Sequence, residues 1–246
     1  MIQLANLVNH PITSIELTAI IDTALCVGTG GSSGSLADKP IIRNAEGKLL
    51  IPASQLKGRL RHECEKIARG LNWSVCQSPK AATMCPQRAG LDNESEFHRA
   101  EYEHDTRHHC IICQLFGNPS LPSRLIFQDL LCTESPENLS LEILRPGVTI
   151  NRRRRIAEDK KLYYLETSAM NAELQFTGSI EILPQTTHFT KTLREDCTKA
   201  LIFSALKHIN ALGGSKSRGL GWLHWQISIP SINSIAWKDL AKGQLS

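Results

Sequence analysis

Apolar and polar residues alternate from Ile15 through Leu17, Ala19 and Ile21 in the segment 15–26, which predicts a strand with one face on a core. A similar alternation runs from Glu173 to Leu183 through Leu174, Phe176, Gly178, Ile180 and Ile182, and a last one from Trp222 to Ile229. Helical spacing replaces it at Leu56, Leu60, Cys64 and Ile67. Pro52 precedes that segment, Ser54 is its expected N-cap, and Gly70 its expected end. A second helix is predicted over 193–212, with Leu201, Ala205, Leu206 and Ile209 inward. Pro40 to Ile51 suggests a hairpin turning at Glu46-Gly47, and Arg124 to Cys132 a short strand.

The order β, α, β, β, α, β with insertions predicts an α+β protein with a ferredoxin-like (RRM-like) core. That core is a four-stranded antiparallel sheet carrying two helices on one face. All 246 residues are expected to form one domain. One insertion, residues 71–122, has no sustained periodicity and holds Cys76, Cys85, Cys110, Cys113, His98, His104, His108 and His109. Another, residues 145–170, is polar and very basic and predicts a projecting hairpin or loop. Two glycine-rich loops complete the layout, Gly28 to Ser35 and Gly213 to Gly221.

Bulk composition changes little. A formal charge of +4 suits a plain soluble enzyme as well as a nucleic-acid binder. The first residues show no basic stretch followed by an apolar one, and no apolar run approaches the length of a membrane span. A cytoplasmic chain, neither secreted nor membrane-bound, is expected. In that compartment eight cysteines favour metal binding over disulfides.

The spacing Cys110-Ile-Ile-Cys113 lets two thiolates reach one tetrahedral ion, and Cys76 with Cys85 can supply the other two. Eight residues separate that first pair, so His108, His109 or Cys64 could replace one ligand. A structural zinc would also order an insertion that lacks periodicity. Lys216, Ser217 and Arg218 sit among glycines whose exposed N–H groups suit phosphate, although a tight helix-to-strand connection explains the same glycines. Ser54, Lys57, Arg59 and Arg61 occupy the first turns of a helix, a natural phosphate site or a capped helix with a solvated basic face.

These segments together resemble the RAMP superfamily of CRISPR proteins, and within it the repeated backbone subunit of type III complexes. In that group a glycine loop leads to an aspartate, a proline, a strand with an arginine, and Ile-Pro-Gly-Ser-Ser-Leu-Lys-Gly followed by an arginine. The matching runs here are Ala37-Asp-Lys-Pro-Ile-Ile-Arg43, Ile51-Pro-Ala-Ser-Gln-Leu-Lys-Gly58 and Arg61. Ala53 stands where glycine is usual and Gln55 where serine is usual. Cys113-Gln-Leu-Phe-Gly117 and the Arg-containing closing loop also correspond, so the likeness runs from about residue 15 to 229.

The resemblance implies a subunit that stacks along a guide RNA beside neighbouring backbone subunits and other type III effector subunits. A thumb-like hairpin would displace one nucleotide of the guide–target duplex at intervals. It implies RNA contacts at Arg43, Ser54, Lys57, Arg61, Lys216, Ser217 and Arg218. It also implies contacts at the thumb run Arg152, Arg153, Arg154 and Arg155, where Asn151 replaces a frequent aspartate. Asp38 takes the position of the target-RNA cleavage aspartate, which implies an endoribonuclease using a divalent cation, magnesium or manganese. Without the resemblance, Asp38 reads as a turn residue before Pro40. An inert structural subunit of the same complex is the alternative. A guide-precursor endonuclease using a histidine such as His62 is another.

Overall fold

The computed structural model describes residues 12–28, 37–73, 75–80, 83–85, 109–139, 142–170, 173–184, 195–227 and 238. Residues 29–35 of the first glycine loop lie outside this set. So do His98, His104 and His108, together with residues 193–194 and 228–229 of the predicted helix and strand.

The architecture is mixed α+β around an antiparallel sheet. Strand β1 (Thr13–Ile21) lies in the middle, flanked by β7 (Leu174–Ile182) and β8 (Leu223–Ile227). On the far side of β7 lie β3 (Leu125–Phe127) and β4 (Leu130–Cys132), with the short β2 (Leu50–Ile51) beyond β4. The register places Ile15 opposite Ile180, Leu17 opposite Gly178, Ala19 opposite Phe176 and Ile21 opposite Leu174. The alternation in the sequence therefore falls on one face of the sheet. Helices α1 (Ala53–Gly70) and α3 (Glu195–His208) cover that face with Leu56, Leu60, Cys64, Ala200, Leu201 and Ala205, all within one core cluster. Phe176 is fully buried there, and its truncation to alanine would cost about 3–5 kcal/mol.

Five expectations need correction, the first being the sheet, which has six strands among the described residues where four were expected. The segment 124–132 is two strands. The chain breaks at Gln128-Asp129, where Asp129 and Leu130 approach Gly178 closely enough that a side chain there would collide. The helix starts at Ala53 with Pro52 as its cap residue, and Ser54 lies exposed inside the first turn. Asp129 supplies the missing acceptor, taking the Ala53 N–H on Oδ1 at 2.7 Å. Strand β1 ends at Ile21 instead of Cys26, because the chain there turns to the second insertion: Leu25 exchanges hydrogen bonds with Ser168. The insertion 71–122 contains one regular element among its described residues, α2 (Ile111–Phe116), which begins inside the Cys-x-x-Cys spacing.

The second insertion is a two-stranded hairpin of β5 (Ile143–Asn151) and β6 (Ile156–Thr167), separate from the main sheet. None of the helices described is long and apolar enough to cross a membrane.

Candidate nucleic-acid interface and metal centre

The hairpin is seated on the loop that follows the first glycine segment. Lys39 bridges Leu165 of β6 in parallel fashion, and the Glu166 N–H donates to the Lys39 carbonyl at 3.2 Å. The Ile41 N–H donates to Glu166 Oε2 at 2.8 Å. Asp38 belongs to this junction on both sides of its Cα. Its N–H donates to the Tyr164 carbonyl at 3.1 Å, and its Oδ2 accepts the Tyr164 N–H at 2.7 Å. Asp38 nonetheless remains exposed. An exposed carboxylate fixed through one oxygen has a defined direction, whereas a free turn residue would sample several rotamers.

The second glycine loop reaches the same hairpin. Residues Lys216–Arg218 form one 3₁₀ turn, and Arg218 Nη1 donates to the Tyr163 hydroxyl at 3.4 Å. Lys216 Nζ donates to the Gly213 carbonyl at 3.1 Å, and Ser217 is exposed. The Tyr163 ring lies over Gly147, its cross-strand partner in β5. Beneath this surface Cys26 is buried, and burial pushes its thiol pKa up; Lys39, Arg218 and Arg145 oppose the shift, which places three cations about one point. The second glycine loop, the hairpin base and residues 37–41 thus form one surface on which Lys39, Arg145 and Arg218 gather and the carboxylates of Asp38 and Glu166 each accept a backbone N–H.

Arg152, Arg153, Arg154 and Arg155 form the exposed turn between β5 and β6. Asn151 shapes it. Its Oδ1 accepts the N–H groups of Arg153 and Arg154, both at 3.1 Å, and its carbonyl accepts the Arg155 N–H at 2.7 Å. The tip therefore presents four guanidinium groups from a braced backbone. Below it, Leu144, Pro146, Val148, Leu162 and Tyr164 lie exposed on one face of the hairpin.

The basic residues of α1 are less free than their positions suggested. Arg59 pairs with Glu63 at 2.8 Å, and Arg61 with Glu65 at 3.1 Å. Arg43 bonds the Gly47 carbonyl and the Glu142 carboxylate. Lys57 extends over the Phe127 ring at 6.0 Å, and burial followed by repulsion from Arg61 lowers its pKa. His62 is exposed on the same helix.

Cys76, Cys85, Cys110 and Cys113 come together although 37 positions separate the first from the last. Their sulfurs all lie within 4.8 Å of one another and all four residues are buried. Four sulfurs at about 2.3 Å from a tetrahedral ion would sit about 3.8 Å apart, so the group is compact enough to hold a metal ion. Hydrogen bonds from Cys110, Cys113 and Cys85 pull the Cys76 thiol far below its ordinary pKa. Cys64 is outside the group, buried in the core with its thiol pKa raised, first by burial. His109 is turned to Asn118, with Nδ1 and the amide nitrogen 2.7 Å apart.

Tyr163, Tyr164 and Arg145 were not anticipated. An aromatic pair facing a Pro-Gly step across a hairpin was the available signal, but it requires the register, which a polar segment conceals.

The described residues thus form an antiparallel sheet covered on one face by two helices, with a projecting hairpin of arginine-rich tip fastened beside the second glycine loop. The RAMP superfamily model matches residues 18–224, and the chain belongs to that superfamily, which includes CRISPR-associated proteins. A comparison with curated proteins gives no match.

Proposed function

We propose that the chain is a guide-RNA-binding backbone subunit of a type III CRISPR effector complex and that it cuts target RNA at Asp38. The observation that carries this reading is the Asp38–Tyr164 junction. A carboxylate at the edge of a basic surface is fastened to the base of an arginine-tipped hairpin. The strand order β8, β1, β7 and then β3/β4, with α1 and α3 on one face, agrees with a ferredoxin-like core bearing a thumb.

The hairpin tip would press a nucleotide of the duplex out of its A-form stack. The ribose 2′-hydroxyl can then align behind the adjacent phosphorus. Its oxygen forms a bond to phosphorus as the bond to the 5′-oxygen breaks. The hydroxyl proton leaves as the 5′-oxygen gains one, and the products are a 2′,3′-cyclic phosphate and a 5′-hydroxyl. Asp38 holds one oxygen on Tyr164, and its other oxygen would be free to hold a divalent cation, magnesium or manganese, which would supply charge stabilisation at the phosphate. A lone carboxylate is a partial site, which fits an ion that arrives with its RNA.

The four-cysteine centre is read as a structural zinc site. Four soft sulfur donors satisfy a tetrahedral ion and leave no position for water. The exposed apolar strip of the hairpin suits packing against a neighbouring backbone subunit.

Purification through a tag on this chain from its native cells tests the class. Recovery of a short RNA of uniform length with a large signature subunit is expected. An RNA-free chain without partners would contradict it.

A further inference from the structure

Arg61 is turned toward the cysteine centre. Its Nη2 donates to Cys113 Sγ at 3.5 Å, its Nη1 to the Gly117 carbonyl at 3.0 Å, and its Nε to Glu65 Oε1 at 3.1 Å. Each of the three guanidinium nitrogens thus donates to a protein acceptor. Glu65, which is buried, also pairs through Oε2 with Arg69 at 3.6 Å. Arg69 in turn donates to the Cys76 carbonyl at 3.4 Å. The chain Arg61–Glu65–Arg69 along α1 therefore touches Cys113 at one end and Cys76 at the other, one cysteine from each half of the quartet.

The charges explain the arrangement. A divalent ion with four thiolates carries two positive and four negative charges, a net of −2. Burying such an anion is costly unless cations and hydrogen-bond donors surround it. Arg61 and Arg69 bring two positive charges and Glu65 one negative, which leaves a surplus of +1 beside the thiolates. Lysine could offer the charge but not the planar fork that reaches sulfur, carbonyl and carboxylate together.

We propose that Arg61 is a positioning residue of the four-cysteine metal centre, holding Cys113 by an N–H···S bond and fastening the metal-bearing insertion to α1. The inference rests on the reading of that centre as a zinc site. It also has a consequence for RNA. Lys57 lies one turn before Arg61 on the same helix, so the metal centre fixes the helix that carries it.

The test uses the full chain purified with zinc, as wild type, Arg61→Gln and Arg61→Lys. Zinc transfer to a chromogenic chelator is followed with time, and the salt dependence of RNA affinity is measured on the metal-loaded proteins. Arg61→Gln is expected to weaken zinc retention by about 10–100-fold, with Arg61→Lys in between. Its log–log salt slope should equal that of wild type, whereas Lys57→Gln should lose about 0.7. Zinc retention equal to wild type in Arg61→Gln, with a slope reduced like that of Lys57→Gln, would overturn the inference and return Arg61 to the RNA. Should Arg61→Gln fail to fold, Arg61→Lys carries the comparison: wild-type zinc retention in that variant would overturn the need for the fork. A wild-type chain that holds no zinc at all would instead remove the metal reading, and this inference with it.

Discussion

Oδ2 of Asp38 accepts the backbone N–H of Tyr164 at 2.7 Å, across 126 positions of chain. The same two residues are joined again by the Asp38 N–H and the Tyr164 carbonyl. The carboxylate proposed to act on RNA is therefore also a fastening of the hairpin. Asp38→Ala should lower stability by about 1 kcal/mol, the usual worth of one hydrogen bond at a solvent-accessible site. Asp38→Asn keeps an oxygen acceptor for Tyr164 and should lose less than half of that. Urea denaturation of the three proteins measures the difference. Equal destabilisation by Asn and Ala would mean that charge, not the Tyr164 bond, seats the hairpin.

Removal of the metal should unfold the insertion and leave the sheet. One zinc per chain is expected by elemental analysis, and chelation should make Cys76, Cys85, Cys110 and Cys113 reactive to a thiol reagent. Cys64 and Cys197 belong to the main core and should stay unreactive until global unfolding. Protein that carries no zinc as purified, with the four thiols already reactive before any chelator is added, would rule the centre out.

The arginine tip should act through phosphate. Replacing Arg152, Arg153, Arg154 and Arg155 by alanine should weaken binding to single-stranded RNA. The log–log salt slope should fall by about 0.7 for each arginine that neutralises a phosphate. Filter binding over a range of salt concentrations measures it. An unchanged slope would mean that the tip faces solvent.

Gly221 closes the second glycine loop at φ +72°, and a Cβ there would meet the Leu212 carbonyl, which is backbone and cannot swing aside. Gly221 is also bonded on both sides, its N–H to Ala24 and its carbonyl to the Leu212 N–H, each at 2.9 Å. Gly221→Ala should therefore cost at least about 2 kcal/mol and shift Arg218 with the loop. A thermal melt within a degree of wild type would contradict that geometry.

The sequence made β1, β7 and β8 legible because α1 and α3 cover one face of the sheet, so Leu17, Phe176 and Trp225 had to alternate with polar neighbours. The same logic hid the strands of the hairpin. Leu144, Pro146 and Val148, like Leu162 and Tyr164, recur at every second position yet are all exposed, and the charged residues between and around them make the segment read as polar. Chemistry was legible where local spacing encodes it, as in Cys110 and Cys113. The direction of Arg61 was not, because its acceptor Cys113 is 52 positions away and a motif shows the residue but not its partner. Asp129 escaped for a similar reason: it caps α1 from the break between β3 and β4, 76 positions downstream.

The central claim is that Asp38 acts on target RNA, and the sharpest measurement compares Asp38→Asn with wild type. Both chains would be reconstituted into the effector complex with a guide RNA and given an end-labelled complementary target. Asn preserves the fastening to Tyr164 and removes the charge, so hairpin seating and target affinity should match wild type while cutting stops. Wild-type cutting should also stop in a chelator of divalent ions, and its products should end in 2′,3′-cyclic phosphate. Full cutting by Asp38→Asn at wild-type affinity would contradict the account and leave a structural RNA-binding subunit in its place.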